Sequence, residues 1–166
     1  MTGTEELRLK MDLPPISQIV LVVNDPHKVA NQCSSLFGMG PWAIYEFVPE
    51  KHWIMEGSKA KLSKVKFFMA KAMLHDVEMC FMKCTEGKSL HKEFLKTHGD
   101  GLFNLVFSVP NYDDMYDKFV KAGFKPLEWV ETYVPTYKGN MKACYFDTRS
   151  VGGILIELRW GSWIKF

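Results

Sequence analysis

One carboxylate in the sequence lies where burial and charge conflict. Glu157 belongs to the segment Gly-Gly-Ile-Leu-Ile-Glu-Leu at residues 152–158, which is typical of a strand that is apolar on both faces. Because an unpaired charge is costly to bury, Glu157 needs a cation, a metal ion or a proton of its own. We therefore predict that Glu157 is a catalytic acid or base. An exposed position at the end of the strand, beside Arg159, is the alternative.

Cysteine and histidine give weaker signals. Cys80 and Cys84 are four residues apart on a predicted strand and share a face, where thiols are mostly small core residues. His52 lies in an irregular stretch, and an approach to a cleft is its less favoured alternative, whereas the other histidines are predicted to lie on the surface. Those histidines are His27, His75, His91 and His98.

Aromatic residues flank two of the same segments. Trp42 and Trp53 border the irregular stretch, and Trp160 and Trp163 follow the strand that carries Glu157. With Tyr45 they form a candidate wall for an apolar or planar ligand. Packing in the core or in a dimer interface is the alternative.

Two similar halves must position these residues. Each half is predicted to form one strand, one helix and then three strands, and residues 18–23 of the first correspond to residues 104–109 of the second. Two such units placed side by side cover their open edges and leave a concave groove. The sequence therefore predicts an α+β fold, in which tandem βαβββ units form a curved eight-stranded mixed sheet around a central cleft.

The pattern also predicts the domain boundaries. A polar lead-in occupies residues 1–15, a single domain occupies 16–158 and a tail occupies 159–166. The domain divides into a first repeat at 16–87 and a second at 88–158.

Composition excludes several functional classes. The 166 residues include 21 Lys and Arg against 19 Asp and Glu, and this net charge of +2 is low for a dedicated nucleic-acid binder. No apolar run approaches the length of a membrane helix, and the N-terminus is not typical of a secretory signal. We expect a cytoplasmic protein with reduced cysteines, Cys33, Cys80, Cys84 and Cys144.

Residues 16–158 resemble the vicinal oxygen chelate superfamily, which includes glyoxalases, bleomycin-resistance proteins and extradiol dioxygenases. The resemblance is closest to the methylmalonyl-CoA epimerase-like and glyoxalase-like branch. It is carried by the segments 18–25, 36–42, 98–104 and 145–158.

In metal-dependent members, the first strand of each half supplies a histidine and the last strand supplies a carboxylate or similar group. Carried onto this chain, the resemblance implies metal positions at Gln18, Cys80, Asn104 and Glu157, with Glu78 as the alternate for Cys80. Both histidines are missing, and amide oxygens are weak ligands for zinc, nickel or cobalt. An oxygen-only set would suit magnesium or calcium instead. A divalent metal ion and no cofactor at all both stay open.

The resemblance also draws attention to Lys66, which lies near a position where epimerase-like members carry a second carboxylate. As a catalytic residue it would face the cleft, pair with Glu157 or stabilise an enolate. Lys66 also belongs to a run of lysines without acids, which is more typical of solvated surface or of an entrance that attracts anions. The run contains Lys59, Lys61, Lys64, Lys66 and Lys71.

The resemblance implies an enzyme, an isomerase, epimerase or lyase that transfers a proton α to a carbonyl of a small molecule. Glu157 and Lys66 would be catalytic, and the substrate would contact Gln18, Asn104, Trp42, Tyr45, Trp53 and Cys80. A metal-free protein that sequesters a hydrophobic or aromatic compound is the main alternative, and an interaction subunit is a third. A homodimer is expected, with neither nucleic acid nor membrane as a partner.

Overall fold

The computed structural model describes residues 11–165, so most of the predicted lead-in lies outside the described residues. Within this range the chain forms ten strands and three helices. The strands are β1 (Gln18–Val22), β2 (Ala43–Phe47), β3 (Lys51–Glu56), β4 (Lys59–Leu62), β5 (Lys66–Leu74), β6 (Val77–Glu86), β7 (Gly101–Ser108), β8 (Pro126–Val134), β9 (Gly139–Phe146) and β10 (Leu155–Gly161). The helices are α1 (Pro26–Phe37), α2 (Leu90–His98) and α3 (Tyr112–Lys121).

All ten strands join one curled, mixed sheet in the order β2-β5-β6-β1-β7-β10-β9-β8-β3-β4. Strands β1 and β7 pair antiparallel at the centre, and each has a parallel partner on its other side, β6 and β10 respectively. The central pair therefore connects the two halves of the chain and places the starts of β1 and β7 close to the last strand of each half.

The predicted α+β class and central cleft are confirmed, but the predicted count of eight strands is wrong. The additional strands are β3 and β4, a hairpin in the stretch after β2 that shows no long apolar run. This hairpin leaves its own half and pairs with β8 of the second half, where Trp53 lies opposite Trp129. Its edge strand β4 is exposed throughout, which explains why hydrophobic pattern alone did not reveal it.

Local sequence explains why helix α1 begins and ends where it does. The side chain of Asp25 accepts a hydrogen bond from the backbone N–H of Lys28 at 3.0 Å, and Pro26 occupies the first turn. Gly38 ends the helix in the left-handed region at φ 67°. The helix covers the outer face of the first half of the sheet and packs against Phe81 and Ala70.

The inner face of the sheet is closed at one end by helix α2. Leu90, Phe94 and Leu95 of this helix pack against a buried cluster on the central strands. That cluster contains Val22, Phe103, Tyr145 and Leu155. The closed end leaves the opposite end of the inner face as the entrance to the cleft.

A buried polar cluster ties α2 to the β3–β4 hairpin. One oxygen of Glu128, on β8, lies 2.7 Å from Nε2 of His52, and the other accepts the backbone N–H of Leu90 at 2.7 Å. His91 is 1% exposed and packs against the rings of Phe103 and Tyr145. The prediction that His91 lies on the surface is therefore wrong, because it occupies the buried side of an amphipathic helix.

None of the helices in the described part of the chain has the length and hydropathy that spanning a bilayer requires.

We expect the stability of the fold to fall as the pH drops below 6.5. Burial lowers the pKa of His91 below its ordinary value of 6.5, so below that pH the unfolded chain takes up a proton that the folded chain does not. The loss reaches at most about 1.4 kcal/mol per pH unit for one proton and ends below the folded-state pKa. Urea unfolding from pH 7.5 to 4.5 measures it.

The variant His91→Leu keeps the buried volume and should flatten this dependence. The matched control His27→Gln changes an exposed histidine and should leave the slope unchanged. Equal slopes for His91→Leu and the unaltered protein would contradict the assignment.

Candidate functional site

The two halves of the sheet face each other across a narrow cleft with an open mouth, in which about 50 Å³ is accessible to a water-sized molecule. Most of the wall is apolar, and the polar groups gather on β1, β5 and β10. The lining residues are Gln18, Tyr45, Phe47, Phe67, Met69, Lys71, Met82, Val130, Val134, Tyr137, Met141, Ala143, Tyr145, Glu157, Arg159 and Trp163. An apolar cleft with a few convergent polar groups is typical of a small-molecule site.

Glu157 lies in the wall of this cleft and is 2% exposed. One carboxylate oxygen accepts a hydrogen bond from Asn104 Nδ2 at 2.9 Å, and the other accepts from Arg159 Nε at 3.2 Å and Nη2 at 2.9 Å. The sequence predicted burial with a partner, or exposure beside Arg159. The structure combines burial with Arg159 as the partner, because residues two apart on a strand share a face.

Arg159 also reaches across the sheet to the first half. Its Nη2 donates to Gln18 Oε1 at 2.8 Å, so one guanidinium joins β10 to β1. Burial disfavours the charged guanidinium, but Glu157 and Glu78 outweigh it and raise the pKa of Arg159 above its ordinary range. Within residues 11–165, Nη1 of Arg159 has no hydrogen-bond partner.

A second ion pair extends this network on the first half. Glu78, the register partner of Gln18, receives a hydrogen bond from Gln18 Nε2 and lies 3.3 Å from Lys71 Nζ. Its other oxygen accepts the hydroxyl of Tyr137 at 3.2 Å. Burial alone would raise the pKa of Glu78. The positive charges of Lys71 and Arg159 have the larger effect and hold this pKa below its ordinary range. The network thus alternates two cations and two carboxylates.

Lys71 supplies the first-half cation that the sequence assigned to Lys66. The side chain of Lys71 is 11% exposed, and burial alone would lower its pKa. The Glu78 carboxylate, 3.3 Å from its ammonium group, helps to raise the pKa above its ordinary value instead, so Lys71 stays charged. Lys66 does not line the cleft. It pairs with Glu86 at 2.8 Å and Glu46 at 3.9 Å.

Aromatic residues divide between the cleft and the outer surface. Tyr45 and Trp163 line the cleft, and Trp163 stacks on Tyr137 with ring centroids 4.7 Å apart. Trp42 stacks on Phe81 under α1, and Trp53 lies in the β3–β4 hairpin, so neither lines the cleft. Trp163, near the C-terminus, therefore takes the place that the prediction gave to Trp42 and Trp53 in the aromatic wall.

Sequence reasoning passed over Arg159, Lys71 and Tyr137 as cleft residues. Arg159 carried a usable signal, because it lies two residues after Glu157 on a predicted strand. Lys71 belongs to a basic run that resembles surface, and Tyr137 follows β8 in a short 3₁₀ turn. Their positions depend on how β5 and β8 face each other across the cleft.

The residues that the resemblance implied as metal ligands do not fit a divalent ion. The carbonyl oxygen of Gln18 and one oxygen of Glu157 already accept from Arg159. Burial raises the pKa of Cys80 to about 12, so its thiol stays protonated. Across residues 11–165, no group of three or more His, Cys, Asp or Glu side chains is placed to hold a metal ion. Asn104 Oδ1 is buried and has no hydrogen-bond partner in the described part of the chain, but one amide oxygen does not bind such an ion.

A family model described as the glyoxalase/bleomycin resistance protein/dioxygenase superfamily matches residues 17–145. This chain belongs to that superfamily. No curated protein sequence matches the chain significantly.

Solved structures of other superfamily members share the fold. A methylmalonyl-CoA epimerase variant from Streptomyces coelicolor, in complex with 2-nitronate-propionyl-CoA, is similar with a TM-score of 0.64 and 14% identity. The similarity covers 93% of this chain and 99% of the epimerase. The methylmalonyl-CoA epimerase of Mycobacterium tuberculosis has a TM-score of 0.58 and 16% identity, covering 89% and 88% of the two chains. The two epimerases therefore share the fold of this chain.

The burial of the cysteine thiols can be checked by chemical labelling. Cys80, Cys84 and Cys144 are buried, whereas Cys33 is partly exposed. We expect a thiol reagent such as dithionitrobenzoate to label one cysteine per native chain rapidly, and all four in urea. The variant Cys33→Ser should remove the rapid phase. Rapid labelling that persists in Cys33→Ser would show that one of the three buried thiols is accessible, which contradicts the structure.

Proposed function

We propose that this superfamily member is an epimerase-type enzyme, an isomerase, that moves a proton α to a carbonyl group. The observation that carries the proposal is Glu157, a buried carboxylate in an apolar cleft whose cationic partner retains a free donor group. Membership in the superfamily and the fold shared with methylmalonyl-CoA epimerases support the same class of chemistry.

In the proposed reaction, the ligand's carbonyl oxygen accepts a hydrogen bond from Arg159 Nη1. The α C–H bond breaks, its proton passes to Glu157, and the electron pair moves onto the oxygen to form an enolate. Water then delivers a proton to the opposite face, which inverts the carbon centre, and Glu157 releases its own proton to the solvent. Return of a proton to the original face regenerates the substrate. In D₂O, uptake of deuterium at the α carbon then shows that the C–H bond was broken.

In the free protein the oxygens of Glu157 accept hydrogen bonds from Asn104 and Arg159. Two of them come from Arg159. A ligand oxygen that draws the guanidinium toward itself would loosen these bonds and leave one carboxylate oxygen free to contact the α C–H group. We therefore propose that ligand binding and activation of Glu157 are coupled through Arg159.

Acyl thioesters are the substrate class that we propose to test first. The similar epimerases are named for methylmalonyl-CoA, and one of them binds 2-nitronate-propionyl-CoA. A thioester carbonyl acidifies the neighbouring C–H bond. The apolar walls formed by Phe67, Met69 and Met82 suit a short acyl group, and the open mouth leaves the remainder of a long ligand outside.

Substituting Glu157→Gln should slow deuterium uptake from D₂O into methylmalonyl-CoA by about a hundredfold or more, because the amide cannot accept the proton. NMR of the recovered thioester measures the exchange. The control Glu131→Gln alters an exposed carboxylate that pairs with Lys51 at 3.8 Å and should exchange at the normal rate. Exchange at the normal rate in Glu157→Gln would overturn the assignment, as would absence of exchange across a panel of acyl thioesters.

A second candidate is a metal-free binding protein for a hydrophobic or aromatic molecule. The observation that favours it is the saturation of both carboxylates, since every oxygen of Glu78 and Glu157 accepts a hydrogen bond or ion pair. Such a network serves recognition as well as catalysis. The stacked rings of Tyr137 and Trp163 then offer a face for a planar ligand.

Binding of a planar aromatic compound should quench tryptophan fluorescence through Trp163. The variant Trp163→Phe should lose this quenching, whereas Trp42→Phe, which alters a ring packed on Phe81 outside the cleft, should retain it. Quenching that persists in Trp163→Phe would place the ligand elsewhere. Homodimer assembly and a cytoplasmic location stay predictions.

A further inference from the structure

The two carboxylates at the cleft, Glu157 and Glu78, are paired with basic side chains of the chain itself. Glu157 and Glu78 lie on different halves of the chain, and each already has a basic partner, Arg159 and Lys71 respectively. The two cations and two carboxylates balance one another. A divalent ion placed among them would add two positive charges to a neutral, largely buried network, which is unfavourable.

The Arg159 guanidinium is held in a defined position by its two hydrogen-bond acceptors. It lies between Gln18 on β1 and Glu157 on β10 and donates to one oxygen of each. These are two of the oxygens that would coordinate a metal ion if the cleft held one. A planar cation with five donors satisfies both and does so without a bound ion.

The donors of Arg159 are not exhausted by these contacts. Nε and Nη2 make the bonds to Glu157 and Gln18, and within residues 11–165 the two N–H groups of Nη1 have no acceptor. Arg159 lines the cleft together with Lys71. An oxygen anion entering the cleft would therefore meet an unused guanidinium donor and a nearby ammonium group.

We propose that Arg159 is the resident cation of this cleft: its guanidinium replaces a divalent metal ion, and its Nη1 group binds a carboxylate or enolate oxygen of the ligand. The part of this proposal that concerns the enolate rests on the proposed function. The part that concerns metal replacement and carboxylate binding does not, and it is tested without turnover.

The first experiment measures metal binding by thermal unfolding and Mn²⁺ paramagnetic resonance. The unaltered protein should bind no Mn²⁺ stoichiometrically and show no shift in its unfolding midpoint. Arg159→Met leaves the oxygens of Gln18 and Glu157 without their guanidinium, so its midpoint should fall and recover when Mn²⁺ is added. Arg159→Lys retains a cation and should gain no such response. Arg149→Met, which alters an exposed arginine paired with Asp147 at 2.7 Å, is the matched control.

The second experiment uses malonate as the probe for a carboxylate ligand. Malonate should raise the unfolding midpoint of the unaltered protein, and its apparent affinity should fall about ten- to a hundredfold in Arg159→Lys, because a charge-assisted hydrogen bond is lost. Arg149→Met should bind malonate normally. This arm uses Arg159→Lys so that it stands even where Arg159→Met does not fold.

Stoichiometric Mn²⁺ binding by the unaltered protein would overturn the proposal. It would also fail if folded Arg159→Met gained no response to Mn²⁺, or if malonate bound equally well to Arg159→Lys. If the metal and malonate results hold while no thioester exchanges deuterium, the resident cation stands and the proposed enzymatic function fails.

Discussion

The hydrogen-bonded contact between Arg159 and Glu157 is the interaction on which the cleft depends. Both side chains lie on β10 and face inward, and the same guanidinium reaches Gln18 on β1. Removing one partner of a buried pair typically costs about 3–5 kcal/mol, because the remaining charge is left without compensation. This contact therefore fixes the wall of the cleft and connects the two halves of the sheet at their most polar point.

The other end of the sheet depends on Glu128, which serves a structural purpose. Its two oxygens connect His52 on the hairpin and the first turn of α2, so three separate segments meet at one buried carboxylate. A negative charge at a helix N-terminus is also favoured by the helix dipole. The polar groups at this end hold the closed base of the cleft, whereas those around Arg159 face the open part, where a ligand enters.

Whether this protein acts as an enzyme or as a binding protein depends on whether a ligand can release Glu157 from its hydrogen bonds to Arg159. In the free protein the oxygens of Glu157 are occupied by hydrogen bonds from Asn104 and Arg159, which suits recognition. A ligand that competes for the guanidinium would convert the same geometry into a base beside an electrophile. The superfamily fold accommodates many chemistries, so the outcome depends on these few side chains and not on the architecture.

Much of the fold followed from the sequence. The repeat of strand and helix signals in residues 18–23 and 104–109 predicted the two halves and the cleft, because such periodic patterns report local structure directly. Glu157 was recognisable because a carboxylate in an apolar strand needs a partner wherever that strand lies. The β3–β4 hairpin was not predicted, because its exposed edge strand carries no hydrophobic pattern. Its place beside β8 depends on a pairing between segments far apart in the chain.

The charge partners were decided by tertiary structure. Lys66 and Lys71 belong to the same basic run, yet Lys71 shares the cleft face of β5 with Phe67 and Met69, whereas Lys66, at the start of the strand, pairs with Glu86. His91 is buried because α2 packs its face against Phe103 and Tyr145, a contact between segments far apart in the chain. The sequence by itself determined which residues need a partner. Only the folded chain decided which partner each one has, because that depends on distances between strands that no local pattern encodes.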